Sequence, residues 1–130
     1  MCDSLREPFP ISIGDLYIAK VDGSNLAASR VQAKTGYRDD AAIFTLTDGV
    51  LRSGDWILSC AMAEDRALRP KAVYWFRKVE DAAPIRLKLD IDDTWVITSQ
   101  DGNFIEQDGF VVVPIADSQA NERLWARVVE

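Results

Sequence analysis

From Ala41 onward the chain alternates short apolar and polar runs, punctuated by Gly, Asp and Pro, at a spacing that suits strands and turns. Strands are expected near 42–47, 55–60, 71–79, 85–91, 94–99, 110–115 and 123–129, with an earlier one, "DLYIAKV", over 15–21. In "IRLKLDI" a period of two places Ile85, Leu87, Leu89 and Ile91 on one face and Arg86, Lys88 and Asp90 on the other, the pattern of a half-exposed strand. "KAVYWFRKV" differs, because Val73, Trp75 and Val79 alternate with Tyr74 and Phe76 and both faces are apolar at its centre. Such a strand either lies between two layers or leaves an aromatic face uncovered for a partner, and packing is the commoner use of Trp and Tyr.

Two segments depart from this pattern. "SNLAASRVQAK" offers Ser24 as a cap, with Leu26, Val31 and the intervening alanines on one face, and predicts one short helix. Residues 1–14 contain Pro8 and Pro10 and predict an irregular arm ahead of a single β-rich domain over 15–130. "AMAEDRALRP" is expected as a loop or one helical turn ended by Pro70, while "DIDDTW" and "QDGN" carry hairpin-turn chemistry. The expected fold is mostly β (β-rich α+β), a bent antiparallel sheet or partly open barrel with one short helix against it. "TLTDGVLRSGDWIL", Thr45 to Leu58, leaves a question open: a functional loop, or only a bend in the chain.

Composition narrows the chemistry. The chain has 130 residues, 48% apolar and 28% charged, enough for one domain with its own core. No run approaches the roughly 18 apolar residues of a membrane span, and the N-terminus lacks the pattern of a signal peptide, so a cytoplasmic location is expected. Cys2 and Cys60 are then expected as reduced thiols, Cys60 inside an apolar strand. Histidine is absent, which removes Ser-His and Cys-His nucleophiles, His-ligated zinc and imidazole acid-base work. Lysine, carboxylates and tyrosine are left. There is no Gly-rich phosphate loop and no Cys-x-x-Cys, and Asp90, Asp92 and Asp93 lack the spaced loop of a calcium site, so no cofactor or metal is expected.

The segments "FTLTDGVLRSGDWIL", "KAVYWFRKV", "IRLKLD", "WVITSQDGNF" and "LWARVVE" resemble, in that order, the β domain of the LexA/UmuD type, the C-terminal domain of self-cleaving and phage repressors. That resemblance implies a β domain that pairs with its own copy and a serine-lysine dyad. At the nucleophile position this chain has Leu46 or Thr47, and Lys88 falls near the family's lysine. The family cleaves itself at Ala-Gly or Cys-Gly, and neither dipeptide occurs here. At most Thr47 and Lys88 could serve as a dyad.

Subtraction therefore favours a non-catalytic protein-binding module, of the kind met in inhibitors, immunity proteins, antirepressors and phage anti-defence proteins. A net charge of −6 points to a partner protein with a basic surface, or to a homodimer, and away from a polyphosphate backbone or a membrane. Trp75, Tyr74 and Arg77 on the aromatic strand, and Trp125, Arg123 and Arg127 on a C-terminal strand expected at a sheet edge, are the candidate partner-binding residues. The alternatives are LexA/UmuD-like autoprocessing or dimerisation, and single-strand nucleic-acid binding. The last would use Arg66, Arg69, Lys71, Arg77, Lys78, Arg86 and Lys88 around the aromatics Tyr74 to Phe76.

Overall fold

The computed structural model describes residues 4–21, 30–60, 71–89, 93–99, 102–113 and 125–129. They form three antiparallel sheets. The first runs in the order β1 (Leu5–Phe9), β6 (Phe44–Thr47), β7 (Val50–Ser53), β8 (Trp56–Ser59), β10 (Tyr74–Phe76), β4 (Arg30–Gln32). The second runs β11 (Ile85–Leu89), β12 (Trp95–Ser99), β16 (Arg127–Val128), β2 (Ile11–Ile13), β3 (Leu16–Ile18), β5 (Thr35–Gly36), with β13 (Gly102–Asn103) also on β12. The third is β14 (Ile105–Gln107), β15 (Phe110–Val113), β9 (Lys71–Ala72). The mostly β expectation holds, as open sheets rather than a closed barrel. Among the described residues no helix is long and apolar enough to cross a membrane.

Local chemistry explains the hairpins. Asp48 and Gly49, at φ 50° and 81°, join Thr47 to its partner Val50, and Asp108 and Gly109, at φ 54° and 86°, join Gln107 to Phe110. Positive φ at both central positions is the type I′ geometry that matches strand twist. Gly14-Asp15 and Gly54-Asp55 put the positive φ, 61° and 58°, at the first position only, as in type II′. Thr45 to Leu58 is thus two successive hairpin turns, a bend made twice.

Two sequence expectations are corrected. Residues 5–13 are not an irregular arm but β1 and β2. Pro8 is accommodated because β1 is an edge strand, where a missing N–H costs no ladder bond. The helix expected from Ser24 is contradicted where it can be seen, since Arg30–Gln32 is a strand with Val31 opposite Trp75. Sheet pairing overrides the helical preference of that segment. Residues 22–29, 61–70, 90–92, 100–101 and 114–124, with the parts of the helix, loop, turn and strand expectations that fall on them, including the start of "QDGN" and of the strand expected over 123–129, lie outside the described residues.

The main core gathers Phe9, Phe44, Leu46, Leu58, Trp75, Ile85, Leu87 and Phe104 among others. Phe44 and Trp75 stack with centroids 5.4 Å apart and planes at 2°. A second cluster on the other side of β10 holds Ile57, Phe76 and Ala82 with Tyr74 and Val50 against it. The aromatic strand is therefore covered on both faces, as the packing reading required. Val79 is an exception, exposed in a 3₁₀ turn. On β11 Ile85 and Leu87 are buried and Arg86 and Lys88 exposed, as period two predicts, although Leu89 is exposed too.

The three sheets meet at one point. The Ala33 N–H donates to the Val73 carbonyl (2.8 Å), the Val73 N–H to the Val111 carbonyl (3.0 Å), and the Val111 N–H back to the Ala33 carbonyl (3.0 Å). All three residues are fully buried.

The turn geometry generates a graded prediction. Gly49→Ala puts a Cβ in the left-handed region at about 1–2 kcal/mol, at an ordinary contact distance of 3.4 Å from the Ile85 carbonyl, whereas Gly54→Ala puts one at the first position of a type II′ turn, which Gly alone adopts without strain even though nothing lies within 4 Å. In urea titrations both variants are expected to lose stability, Gly54→Ala the more; a larger loss at Gly49 would mean that packing against Ile85 outweighs turn strain.

Candidate functional site

Beyond Ile18 the chain of β3 continues between two segments. Its Ala19 N–H donates to the Lys34 carbonyl (2.9 Å) and its Lys20 N–H to the Asp40 carbonyl (2.9 Å), while the Ala42 N–H donates to the Ile18 carbonyl (3.0 Å). Gly36 is required by close approach rather than by φ: a Cβ there would lie 3.3 Å from the Ala19 Cβ and 3.5 Å from the Asp40 Cβ. Its bareness lets the 3₁₀ turn Arg38–Asp40 fold over β3.

This arrangement leaves a cleft of about 480 Å³ whose walls include Lys20, Gln32, Lys34, Thr35, Asp40 and Trp75, a size in the range of small-molecule sites. Trp75 is immobilised by its stack on Phe44 and by ladder neighbours Val31 and Leu58 on either side. Lys34 is exposed, with Nζ 5.9 Å from the Phe110 ring centroid, a distance at which the ring still attracts the ammonium. The Thr35 N–H donates to the Gly109 carbonyl (2.9 Å), tying this wall to the third sheet. The segment that carries the lining residues Gly36 and Asp40, here called the rim, also holds Tyr37 and Ile43, 77% and 55% exposed, on either side of the exposed charges of Arg38, Asp39 and Asp40. The wall can hold charged and hydrogen-bonding groups; the rim offers an aromatic and an aliphatic anchor.

The residues singled out from sequence disperse. Trp75 is 2% exposed and cannot serve as a partner-facing anchor; it reaches only the inside of the cleft. Tyr74 is half-buried on the opposite face of β10, its ring 5.9 Å from that of Phe76. Arg77 is exposed and lies 4.3 Å over the Trp56 ring. Arg127 is not on an edge: β16 lies inside the second sheet, with Arg127 opposite Val96 on one side and Ser12 on the other, and its Nη1 donates to Thr94 Oγ1 (2.7 Å). Trp125 is half-buried, its Nε1 without a hydrogen-bond partner among the described residues, and Arg123 lies outside the described residues.

Thr47 is exposed at the end of β6 in the first sheet, and Lys88 is exposed on β11 in the second. No hydrogen bond joins them among the described residues. A lysine base needs a dry site, and Lys88 stands in water. The nucleic-acid reading loses its stacking platform, because Trp75 and Phe76 are core residues. Arg66 and Arg69 lie outside the described residues, and Arg77 and Lys78 follow β10 while Arg86 and Lys88 belong to another sheet. Cys60 is a buried thiol 3.9 Å from Ser99 Oγ, and among the described residues no group of three metal-ligating side chains occurs.

Sequence reasoning missed Lys20, Lys34, Gly36, Tyr37 and Ile43. The available signal was weak: a Tyr placed between a Gly and three charges is poorly placed for a core. No protein-family model, curated protein or solved structure matches the chain.

If Trp75 is a structural floor, Trp75→Ala is expected to cost about 3–5 kcal/mol in urea titrations, and Trp75→Phe distinctly less because it preserves the stack on Phe44. Equal losses would show that the stack is not what holds the ring.

Proposed function

We propose that the protein acts by docking onto another protein, as a binding module, through the rim formed by Gly36 to Ile43. The observation that carries this reading is Tyr37, a large aromatic side chain 77% exposed, with Ile43 at 55% on the same short segment. Tyr is among the residues that most often anchor interfaces, and an aromatic anchor bordered by charge is a common interface arrangement. Asp39 and Asp40 add two exposed carboxylates against the single cation of Arg38. A partner presenting basic residues around an apolar pocket complements that segment, and the overall charge of −6 speeds its approach.

The double variant Tyr37→Ala/Ile43→Ser tests this. Both positions are exposed, so stability is expected to stay within about 0.5 kcal/mol of wild type. Affinity capture from a lysate of the source cells, followed by mass spectrometry, is expected to retain a protein that the double variant loses. Identical retention by the two proteins would overturn the reading. Light scattering supplies the other arm, since self-association abolished by the double variant identifies the partner as a second copy.

A further inference from the structure

We propose that the cleft behind this rim binds a small organic anion, a carboxylate or phosphate carried on an apolar body. The first argument is charge. The chain as a whole has 15 basic and 21 acidic residues, yet the cleft wall reverses the balance, with Lys20 and Lys34 against Asp40. Neither ammonium is held in an ion pair among the described residues. An anion entering the cleft meets two cations, neither bound to a carboxylate among the described residues, and one carboxylate, a wall of net positive charge.

The second argument is layering. Lys20 and Lys34 are exposed, whereas Val21 and Val31 are half-buried and Trp75 is buried. The same cleft therefore has a cationic mouth and an apolar floor, with Gln32 and Thr35 adding uncharged donors and acceptors. An amphipathic ligand fits this gradient, its apolar body inward and its anion at the mouth. A bare inorganic ion would leave the floor uncovered, and an uncharged ligand would leave both ammoniums unused.

The third argument is preorganisation. Among the described lining residues the main chain at Ala19, Lys20 and Thr35 is held by backbone hydrogen bonds, and Lys34 is steadied by the Phe110 ring. Little ordering cost remains to be met on binding. The inference does not rest on docking at Tyr37, because neither Tyr37 nor Ile43 lines the cleft.

The test is a titration of the intact protein followed by backbone amide NMR shifts at Lys20, Thr35 and Gly36. The probes are benzoate, phenyl phosphate, benzyl alcohol and inorganic phosphate, each up to millimolar concentration. Benzoate or phenyl phosphate is expected to shift those amides saturably, and which of the two binds tighter distinguishes a carboxylate ligand from a phosphate ligand. Lys20→Gln/Lys34→Gln is expected to weaken binding about tenfold or more, Lys88→Gln to leave it unchanged, and added salt to weaken it. Tyr37→Ala/Ile43→Ser is expected to bind the probes as wild type does, which separates this site from the docking surface. The proposal fails if benzyl alcohol binds as well as benzoate, if inorganic phosphate binds as well as phenyl phosphate, if neither ring-bearing anion shifts the three amides, or if the double lysine variant binds undiminished.

Discussion

The cyclic set of three backbone hydrogen bonds among Ala33, Val73 and Val111 is the constraint from which the rest of the molecule is hung. Ala33 lies between β4 of the first sheet and β5 of the second, Val73 between β9 of the third and β10 of the first, and Val111 within β15 of the third. Ala33 and Val73 thus hand the chain from one sheet to another, and Val111 anchors them to the third. Buried N–H and C=O groups that lose their partners cost about 1–3 kcal/mol each. A break at one member orphans groups on its neighbours as well. The small Ala33 side chain and the two valines let three main chains converge with nothing exposed.

The cleft follows from that junction. Ala33 is flanked by Gln32 and Lys34, both cleft residues; Val111 follows Phe110, the ring beneath Lys34; Val73 stands two residues before Trp75. Where three sheets meet at a point they diverge away from it, and the space left between β4, β5 and the chain continuing β3 is the cleft. The binding surface is in this sense the outer side of the structural node, and its walls inherit the node's rigidity. The two covered faces of β10 have the same origin. As an inner strand of the first sheet, next to the junction, it receives the main core on Trp75 and the smaller cluster on Tyr74 and Phe76.

What the sequence made legible was local. Period two in "IRLKLDI" and the Asp-Gly pair of "QDGN" are short-range signals; Ile85 and Leu87 obey the first, and the strands flanking the second pair up, with Ser99 opposite Gly102. The failures came where a distant partner decides. Arg30–Gln32 sits in a stretch whose spacing predicts a helix, and its partners in space are strands. Pro8 reads as a strand breaker until the strand is known to be at an edge. Arg127 reads as an edge residue until β2 is known to pair with it. Trp75, Tyr74 and Arg77 looked like one surface because they are consecutive, but alternation and the double covering of β10 send them to three surroundings. The cleft was illegible for the same reason: Lys20, Lys34 and Trp75 are far apart in the chain and adjacent only through the junction.

The acidity of the chain also divides once the turns are known. Asp15, Asp48, Asp55 and Asp108 all occupy two-residue hairpin turns, and Asp48 and Asp108 sit at positive φ, a conformation Asp tolerates better than most residues. Four of the 21 acidic residues are thereby accounted for by strand reversal alone, against a net charge of −6. Much of the charge that argued for a basic partner is thus a consequence of how a small antiparallel protein turns its corners. The charges that bear on recognition are the ones no hairpin requires: Asp39 and Asp40 on the rim, and Lys20 and Lys34 at the mouth of the cleft. They lie within one short stretch of surface and have opposite signs. A long-range field set by net charge cannot distinguish a rim that favours cations from a cleft that favours anions, and only short-range contact at that surface can.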